Sequence, residues 1–210
     1  MGIQERKERE KQLRWELIQN AAKELFIVKG FNSTTMEDIA QKAELSVATI
    51  YQYFKNKEEL YSSLNLFALQ CLFDEIEKIY KNNKLSVEKK VIGFKEAMYK
   101  TYKREPLILR NILHAQLEDT LTKINSELID KLNNLSQKIM NMVSDVYEEG
   151  VLQKKFRNGH GMAHADILWA IFTGLVMWEE SKKKQNPKKN FLKPTLDRAF
   201  DVFCWGIKRR

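Results

Sequence analysis

Proline and glycine are scarce in this chain, which has three prolines and eight glycines in 210 residues. Because both residues disfavour helix interiors, their scarcity favours an all-α fold. Long hydrophobic runs are also missing, and no stretch approaches the roughly eighteen consecutive apolar residues of a spanning helix. The sequence therefore predicts no membrane-spanning segment and no membrane partner.

Cysteine is nearly absent, since only Cys71 and Cys204 occur and they lie far apart. They form neither a disulfide framework nor a set with metal-ligand spacing. No secretory signal peptide is visible, so we expect a reducing, cytoplasmic location. The chain also lacks a phosphate-binding loop, a Gly-rich dinucleotide motif and a nucleophile elbow. We therefore predict no catalytic residues, no cofactor and no metal.

Charge is unevenly distributed along the chain. The net charge is +8, yet the first sixty residues carry ten Lys or Arg and ten Asp or Glu, so the whole excess lies later. Bulk charge is therefore only weak support for nucleic-acid binding, and the placement of individual charges matters more.

Residues 34–54 form the most informative stretch, TTMEDIAQKAELSVATIYQYF. Thr35 is a good N-cap with Asp38 three residues later, and Ser46 is a second N-cap, so the pattern predicts two short helices joined by a tight turn. In the second helix, Val47, Ile50 and Phe54 are expected to face inward. The outward set is uncharged and rich in hydrogen-bonding and aromatic groups: Thr49, Gln52 and Tyr53, with Tyr51 near the boundary. Such a face suits a DNA major groove.

Helical periodicity continues on both sides of this stretch. Residues 1–14 are polar and form either a frayed arm or an extension of a helix that is clearly periodic from Trp15. Gly30 is expected to end that helix in the left-handed conformation. The later helices are predicted at about 56–80, from Ser86 to before Pro106, 107–117, 121–147 closed by Gly150, 163–184 and 195–208, with a basic loop at 182–194.

The residues between Ile18 and Leu60 agree with a known pattern in order and spacing over about forty residues without a gap. The agreeing residues are Ala21, Ala22, Leu25, Phe26, Gly30, Phe31, Thr34, Thr35, Met36, Asp38, Ile39, Ala40, Ala43, Ser46, Ala48, Thr49, Ile50, Tyr51, Tyr53, Phe54, Lys57, Glu58 and Leu60. This segment resembles the DNA-binding domain of TetR-type transcriptional repressors, the tetracycline-repressor family. One departure is Glu44, where the family usually has glycine in the turn.

The resemblance implies an all-α protein with two domains. Residues 1–57 would be a three-helix DNA-binding domain with a helix-turn-helix, and residues 58–210 a larger helical domain for effector binding and dimerisation. The implied function is a ligand-responsive repressor that binds an inverted-repeat operator in double-stranded DNA as a homodimer. Two other readings stay open: a helical protein that sequesters ligand and binds DNA only weakly, and a small helical enzyme.

The resemblance also implies which residues contact DNA. The second helix of the pair would lie in the major groove, through Ser46, Val47, Ala48, Thr49, Tyr51, Gln52 and Tyr53. Gln52 is suited to an adenine edge, and Ala48 or Val47 to a thymine methyl group. Phosphate contacts are implied for Thr34, Thr35, Tyr51 and Lys57. The alternatives are that both tyrosines pack the small domain and that Gln52 is an unengaged, solvated side chain.

The effector site and the dimer interface are implied less directly. Candidate pocket residues, which would equally suit a filled helical core, are Phe67, Cys71, Phe94, Met98, Tyr102, His114, Met140, Val143, Trp169 and Phe172. Their apolar character suggests a hydrophobic or amphipathic effector, such as an acyl chain or a planar aromatic molecule. The alternative for the candidate interface residues is burial within the chain itself; they are Ile167, Ile171, Gly174, Leu175, Trp178, Leu196, Phe200, Phe203 and Ile207.

Overall fold

The all-α prediction is confirmed by a computed structural model, which describes residues 2–106, 125–186 and 190–209. Within these ranges there is no strand, and one isolated antiparallel bridge joins Phe156 to Lys208. The helices are α1 Ile3–Val28, α2 Met36–Lys42, α3 Val47–Tyr53, α4 Lys57–Tyr80, α5 Val87–Arg104, α6 Ser126–Leu152, α7 Gly161–Gln185 and α8 Leu192–Ile207. The predicted helix 107–117, the start of the one predicted at 121, and His114 lie outside the described residues.

The polar N-terminal residues belong to α1, so they extend the helix rather than fray from it. Exposed side-chain pairs one turn apart stabilise this part: Arg6 with Glu10 at 3.4 Å and Gln12 with Glu16 at 2.9 Å. At the other end of the helix, Gly30 has φ +83°. The predicted left-handed glycine is therefore confirmed, because other residues adopt this conformation at a cost.

The described residues form two compact units. The first contains residues 2–66 and 125–129, and the second contains residues 67–106, 130–186 and 190–209. The core of the first unit is apolar, and five of its large side chains are at most 1% exposed: Ile18, Phe26, Ile39, Ile50 and Leu60. Tyr61 packs edge-on against Phe26, with 5.0 Å between ring centroids. These side chains come from α1, α2, α3 and the start of α4, so the four helices share one small apolar core.

In the second unit, a network of two lysines and two carboxylates joins α5 to α8. The buried Lys95 bonds Asp197 at 2.5 Å and Glu96 at 3.1 Å, while Lys193 bonds the same two carboxylates at 3.1 Å and 2.6 Å. Burial acts to lower the pKa of Lys95, but the hydrogen bonds to both acids outweigh it and raise that pKa. The hydrogen bond from Lys95 is the main cause of the lowered pKa of Asp197. All four groups are therefore held in their charged forms.

Two expected boundaries were wrong. Gly150 does not close α6, which continues to Leu152. A Cβ atom at Gly150 would lie 2.1 Å from Phe156 Cδ2, so glycine is required by the close approach of that ring. The loop expected at 182–194 is also shorter, because α7 runs to Gln185 and α8 already contains Pro194 in its first turn. A proline there loses no helical hydrogen bond, since the N–H groups of the first turn have no partner within the helix.

The turn between α2 and α3 carries strain at the position where the sequence departs from the expected glycine. Glu44 has φ 57°, in the left-handed region that glycine favours. We expect Glu44→Gly to raise the free energy of unfolding by about 1 kcal/mol by removing this strain. Urea denaturation measures the change. Glu44→Ala is the matched control: it removes the carboxylate but keeps the Cβ, and an equal gain in both variants would contradict the backbone explanation.

Candidate nucleic-acid interface

α2 begins with the capping box expected from the sequence. Thr35 Oγ1 accepts a hydrogen bond from Asp38 N at 3.1 Å, and Thr35 N donates to Asp38 Oδ2 at 3.1 Å. Lys29 bonds the same carboxylate at 2.9 Å, and this bond is the main reason why the pKa of Asp38 is lowered. Two backbone donors at the start of the helix are thereby satisfied, which fixes where α2 begins.

α3 begins at the second predicted cap. Ser46 Oγ accepts from Thr49 N at 3.1 Å and lies 2.8 Å from Thr49 Oγ1. Ile50 and Phe54 are buried, as predicted, and the Phe54 ring lies 6.2 Å from that of Trp15 on α1. The inner face of α3 is thus anchored on the core of the first unit.

The outer face of α3 presents uncharged side chains to solvent. Ala48 and Gln52 are exposed, and Tyr51 is 49% exposed, so it lies further out than the boundary position expected for it. Val47, Thr49 and Tyr53 are half-buried and border this face. The structure therefore places the candidate base-reading residues together on a short, well-capped helix.

Two of the candidate phosphate contacts have structural partners instead. Thr34 is fully buried, and its hydroxyl donates to the Gly30 carbonyl at 2.8 Å. The ammonium group of Lys57 donates to the carbonyls of Phe31 and Thr34 at 2.8 and 2.7 Å and lies 4.4 Å from the centre of the Phe31 ring. Both residues hold the loop between α1 and α2 in place.

A basic residue that the sequence reasoning missed follows α3 directly. Lys55 is exposed, and its ammonium group forms no ion pair with the part of the chain that the structure describes. Lys29 and Lys42, by contrast, pair with Asp38 and Glu24 at 2.9 and 2.8 Å. The signal was its position directly after α3, and the free position of its ammonium group makes Lys55 a better candidate for a phosphate contact than the buried Thr34.

Lys57 should matter more for folding than for affinity. We expect Lys57→Met, which keeps the length of the side chain, to lower the free energy of unfolding by about 2 kcal/mol, because two loop carbonyls lose a charged donor. Lys55→Met is the matched control and should leave stability unchanged while weakening DNA binding. Thermal or urea unfolding of the two variants measures the contrast, and equal stabilities would contradict the assigned role of Lys57.

The second unit contains a small apolar cavity of about 10 Å³. Five of the candidate pocket residues line it, namely Phe94, Met98, Met140, Val143 and Trp169, together with Ile76, Ile139, Ala165 and Leu168. This volume holds about one water molecule, so the cavity in this conformation is too small for an effector. Of the other candidates, Phe172 is buried, Cys71 is half-buried and Phe67 is exposed beneath Arg104.

Tyr102 is the last of the three candidate pocket residues on α5, after Phe94 and Met98, and its side chain makes a polar contact. It is buried, and its hydroxyl donates to the Glu180 carboxylate, which also bonds Lys183 at 2.6 Å. Burial is the main cause of its strongly raised pKa, and the hydrogen bond to Glu180 adds to the effect. Among the described residues, no group of three or more His, Cys, Asp or Glu side chains could hold a metal ion.

The candidate interface residues separate into two sets. On α7, Ile167 and Trp178 are 45% and 61% exposed, and nothing lies within 4 Å of a Cβ placed at Gly174. Ile171 and Leu175 are half-buried. On α8, the predicted stripe is buried within the chain itself: Leu196, Phe200, Phe203 and Ile207. The exposed apolar residues of α8 are instead Val202 and Trp205, and Trp205 is 68% exposed.

α7 has an unusual composition for a helix with so much exposed surface. Residues Gly161–Lys183 are long and apolar enough to cross a membrane, judged by length and composition alone. Core helices of soluble proteins share this property, but only 28% of the most apolar stretch of α7 is buried within the chain. An exposed apolar stripe of this kind marks a surface that another molecule covers.

The part of the chain that matches a known family contains α2 and α3. Residues 18–64 match the family described as bacterial regulatory proteins, tetR family. The chain is 22% identical over 130 residues to IcaR, the HTH-type negative transcriptional regulator of the biofilm operon icaADBC in Staphylococcus aureus strain Newman. That match covers 61% of this chain and 67% of IcaR.

Solved structures extend the similarity to nearly the whole fold. PfmR from Thermus thermophilus, a TetR family transcriptional regulator, superposes with a TM-score of 0.74 at 21% identity, covering 92% of this chain and 99% of PfmR. FadR from Bacillus subtilis, solved in complex with stearoyl-CoA, gives a TM-score of 0.70 at 19% identity, covering 92% of this chain and 99% of FadR. At these identities the two structures support the fold alone.

Proposed function

We propose that this chain, a transcriptional regulator of the tetR family of bacterial regulatory proteins, is a repressor that a small hydrophobic effector releases from its operator. In this proposal residues 1–57 bind DNA, and residues 58–210 bind the effector and form the dimer. The observation that carries the proposal is the outer face of α3, which is exposed, uncharged and fixed by caps on both helices of the pair.

α3 reads the major groove in this proposal. Gln52 donates to and accepts from an adenine edge, and Ala48 contacts a thymine methyl group. Thr35, Tyr51 and Lys55 bind phosphates and set the orientation of the helix, while Thr34 and Lys57 shape the loop behind it. One short helix reads too few base pairs for useful specificity, so two copies bind an inverted repeat.

The second copy covers the exposed stripe of α7. Ile167, Gly174 and Trp178 lie on this stripe, and Val202 and Trp205 of α8 extend the apolar surface. Two such helix pairs, related by a two-fold axis, bury one another's apolar faces in a four-helix interface. The exposure of Gly174 lets the facing helices approach closely.

The effector binds in the cavity of the second unit. Its lining is apolar, and the relative FadR is bound to stearoyl-CoA, which supports an acyl chain as effector. Because the cavity is only about 10 Å³, an effector stabilises an expanded state in which the flexible side chains of Met98 and Met140 move aside. α4 supplies Ile76 to this cavity and Lys57 to the loop of the first unit, so displacement of α4 changes the spacing of the two recognition helices.

The test is an anisotropy titration of the purified chain on DNA from upstream of its own gene. We expect a sequence-specific complex that persists at physiological salt and dissociates when stearoyl-CoA, the first probe of a panel of acyl chains and planar aromatics, is added. If no sequence-specific complex forms, the repressor function is wrong, and a ligand-sequestering protein or a small enzyme becomes the better reading. A specific complex that no probe dissociates would contradict the effector class alone.

A further inference from the structure

A buried hydroxyl group in the second unit has nothing to bond. Thr101, on α5, is only 4% exposed, and its Oγ1 has no hydrogen-bond partner among the described residues. Leaving a buried hydroxyl unsatisfied costs about 1–3 kcal/mol of stability. An apolar residue of the same shape, such as valine, would avoid that cost. The presence of a hydroxyl here is therefore explained if it forms a hydrogen bond with a molecule other than this chain.

Thr101 belongs to the row of α5 residues that reaches the cavity. Phe94 and Met98 line the cavity, and Thr101 follows them by seven and three residues, about two turns and one turn of helix. It therefore lies about 4.5 Å beyond Met98 along the helix axis, on the same side. A ligand that fills the expanded cavity and extends by one helical turn reaches the Thr101 hydroxyl.

The neighbouring polar groups at this end are already paired. The Tyr102 hydroxyl donates a hydrogen bond to the Glu180 carboxylate, which also accepts one from the Lys183 ammonium group. The small cavity itself, which includes Met98, is lined by apolar side chains, so a ligand that extends from it by one helical turn would pass from an apolar surface to the unsatisfied hydroxyl of Thr101.

We infer that Thr101 is a hydrogen-bonding anchor for the effector, and that the effector has an apolar body with an uncharged oxygen, a hydroxyl or a carbonyl, at one end. This inference rests on the proposed effector site. A single hydroxyl can donate one hydrogen bond and accept another, which matches a neutral oxygen. A carboxylate would lose its hydration on burial at an apolar site, which is strongly unfavourable unless a counter-charge accompanies it.

The experiment compares three planar probes that share one ring system: naphthalene, 2-naphthol and 2-naphthoate. Isothermal titration of the wild-type protein should show 2-naphthol binding about 3–10-fold more tightly than naphthalene, the gain expected from one hydrogen bond, and 2-naphthoate most weakly. In Thr101→Val the preference for 2-naphthol should vanish while naphthalene affinity stays the same. Thr101→Ser, which keeps the hydroxyl, should keep the preference.

Stability gives a second test that needs no ligand. Thr101→Val should melt at the wild-type temperature or above it, because it removes an unpaired buried hydroxyl. A fall of more than about 3 °C would mean that the hydroxyl has a partner in the folded chain, and would overturn the inference. If wild type and Thr101→Val bind 2-naphthol and naphthalene alike, the anchor is wrong while the effector cavity stands. If no probe binds the wild type, the inference is wrong, and the operator titration with stearoyl-CoA tests the effector cavity separately.

Discussion

Replacing Ile167 and Trp178 together with glutamate should leave the chain folded but monomeric, and should lower operator affinity at least about 100-fold. Both side chains are exposed in the monomer, so the charges cost little there. In a two-fold interface each substitution occurs twice, and a buried unpaired carboxylate costs several kcal/mol. A monomer then binds one half-site and loses the second set of contacts. Analytical ultracentrifugation and operator anisotropy measure the two effects.

The matched control for this variant is Leu152→Glu. Leu152 is 84% exposed at the end of α6 and does not belong to the α7 stripe, so a charge there should change neither dimerisation nor operator affinity. A double variant that is still dimeric would show that α7 is not the interface. A wild-type protein that is monomeric in dilute buffer and recovered with membranes would point instead to lipid as the cover of α7.

Gln52→Ala should lower affinity for the operator by at least about 30-fold while leaving folding and dimerisation intact. One bidentate contact to adenine contributes about 1–3 kcal/mol of discrimination, and the dimer makes that contact in both half-sites. Gln52 is exposed and forms no hydrogen bond with the described residues, so its truncation leaves no buried group unpaired. Competition between operator and random-sequence DNA measures the loss.

Gln41→Ala is the control for that substitution. Gln41 is an exposed glutamine near the end of α2, in the same small unit but off the reading face of α3. It should behave as wild type on both DNA sequences. Because phosphate contacts supply non-specific binding, Gln52→Ala should also retain wild-type affinity for random DNA. Equal losses on operator and random DNA would contradict a base-reading role for Gln52.

Local signals allowed the first unit to be predicted closely. The capping box of Thr35 and Asp38, the cap at Ser46 and the left-handed Gly30 all depend on residues within a few positions of one another, so the sequence contains the whole interaction. The strain at Glu44 could be expected for the same reason, because the turn required a positive φ whichever residue occupied it.

Contacts between residues that are far apart in the sequence could not be predicted from such local signals. Periodicity showed that Leu196 and Phe200 share an apolar face, but it does not say whether that face meets the same chain or a second copy. Gly150 carries the usual signature of a helix end, whereas its actual role depends on the ring of Phe156 from the following loop. The contact of Thr34 is a further example, since only the fold reveals that its hydroxyl donates to the Gly30 carbonyl.

The bridge between Phe156 and Lys208 sets an order of events during synthesis. Arg157 N donates to Ile207 O at 2.7 Å and Arg209 N to Lys155 O at 2.9 Å, so the loop after α6 closes against residues that leave the ribosome much later. The core of the first unit, from Ile18 to Leu60, is available long before that. Since domains fold as units while the chain emerges, we expect the first unit to be folded while the second unit still lacks its last helix. The first unit would then be folded before the apolar surface of the last two helices, α7 and α8, is complete, so pairing with a second copy would have to wait for the whole chain.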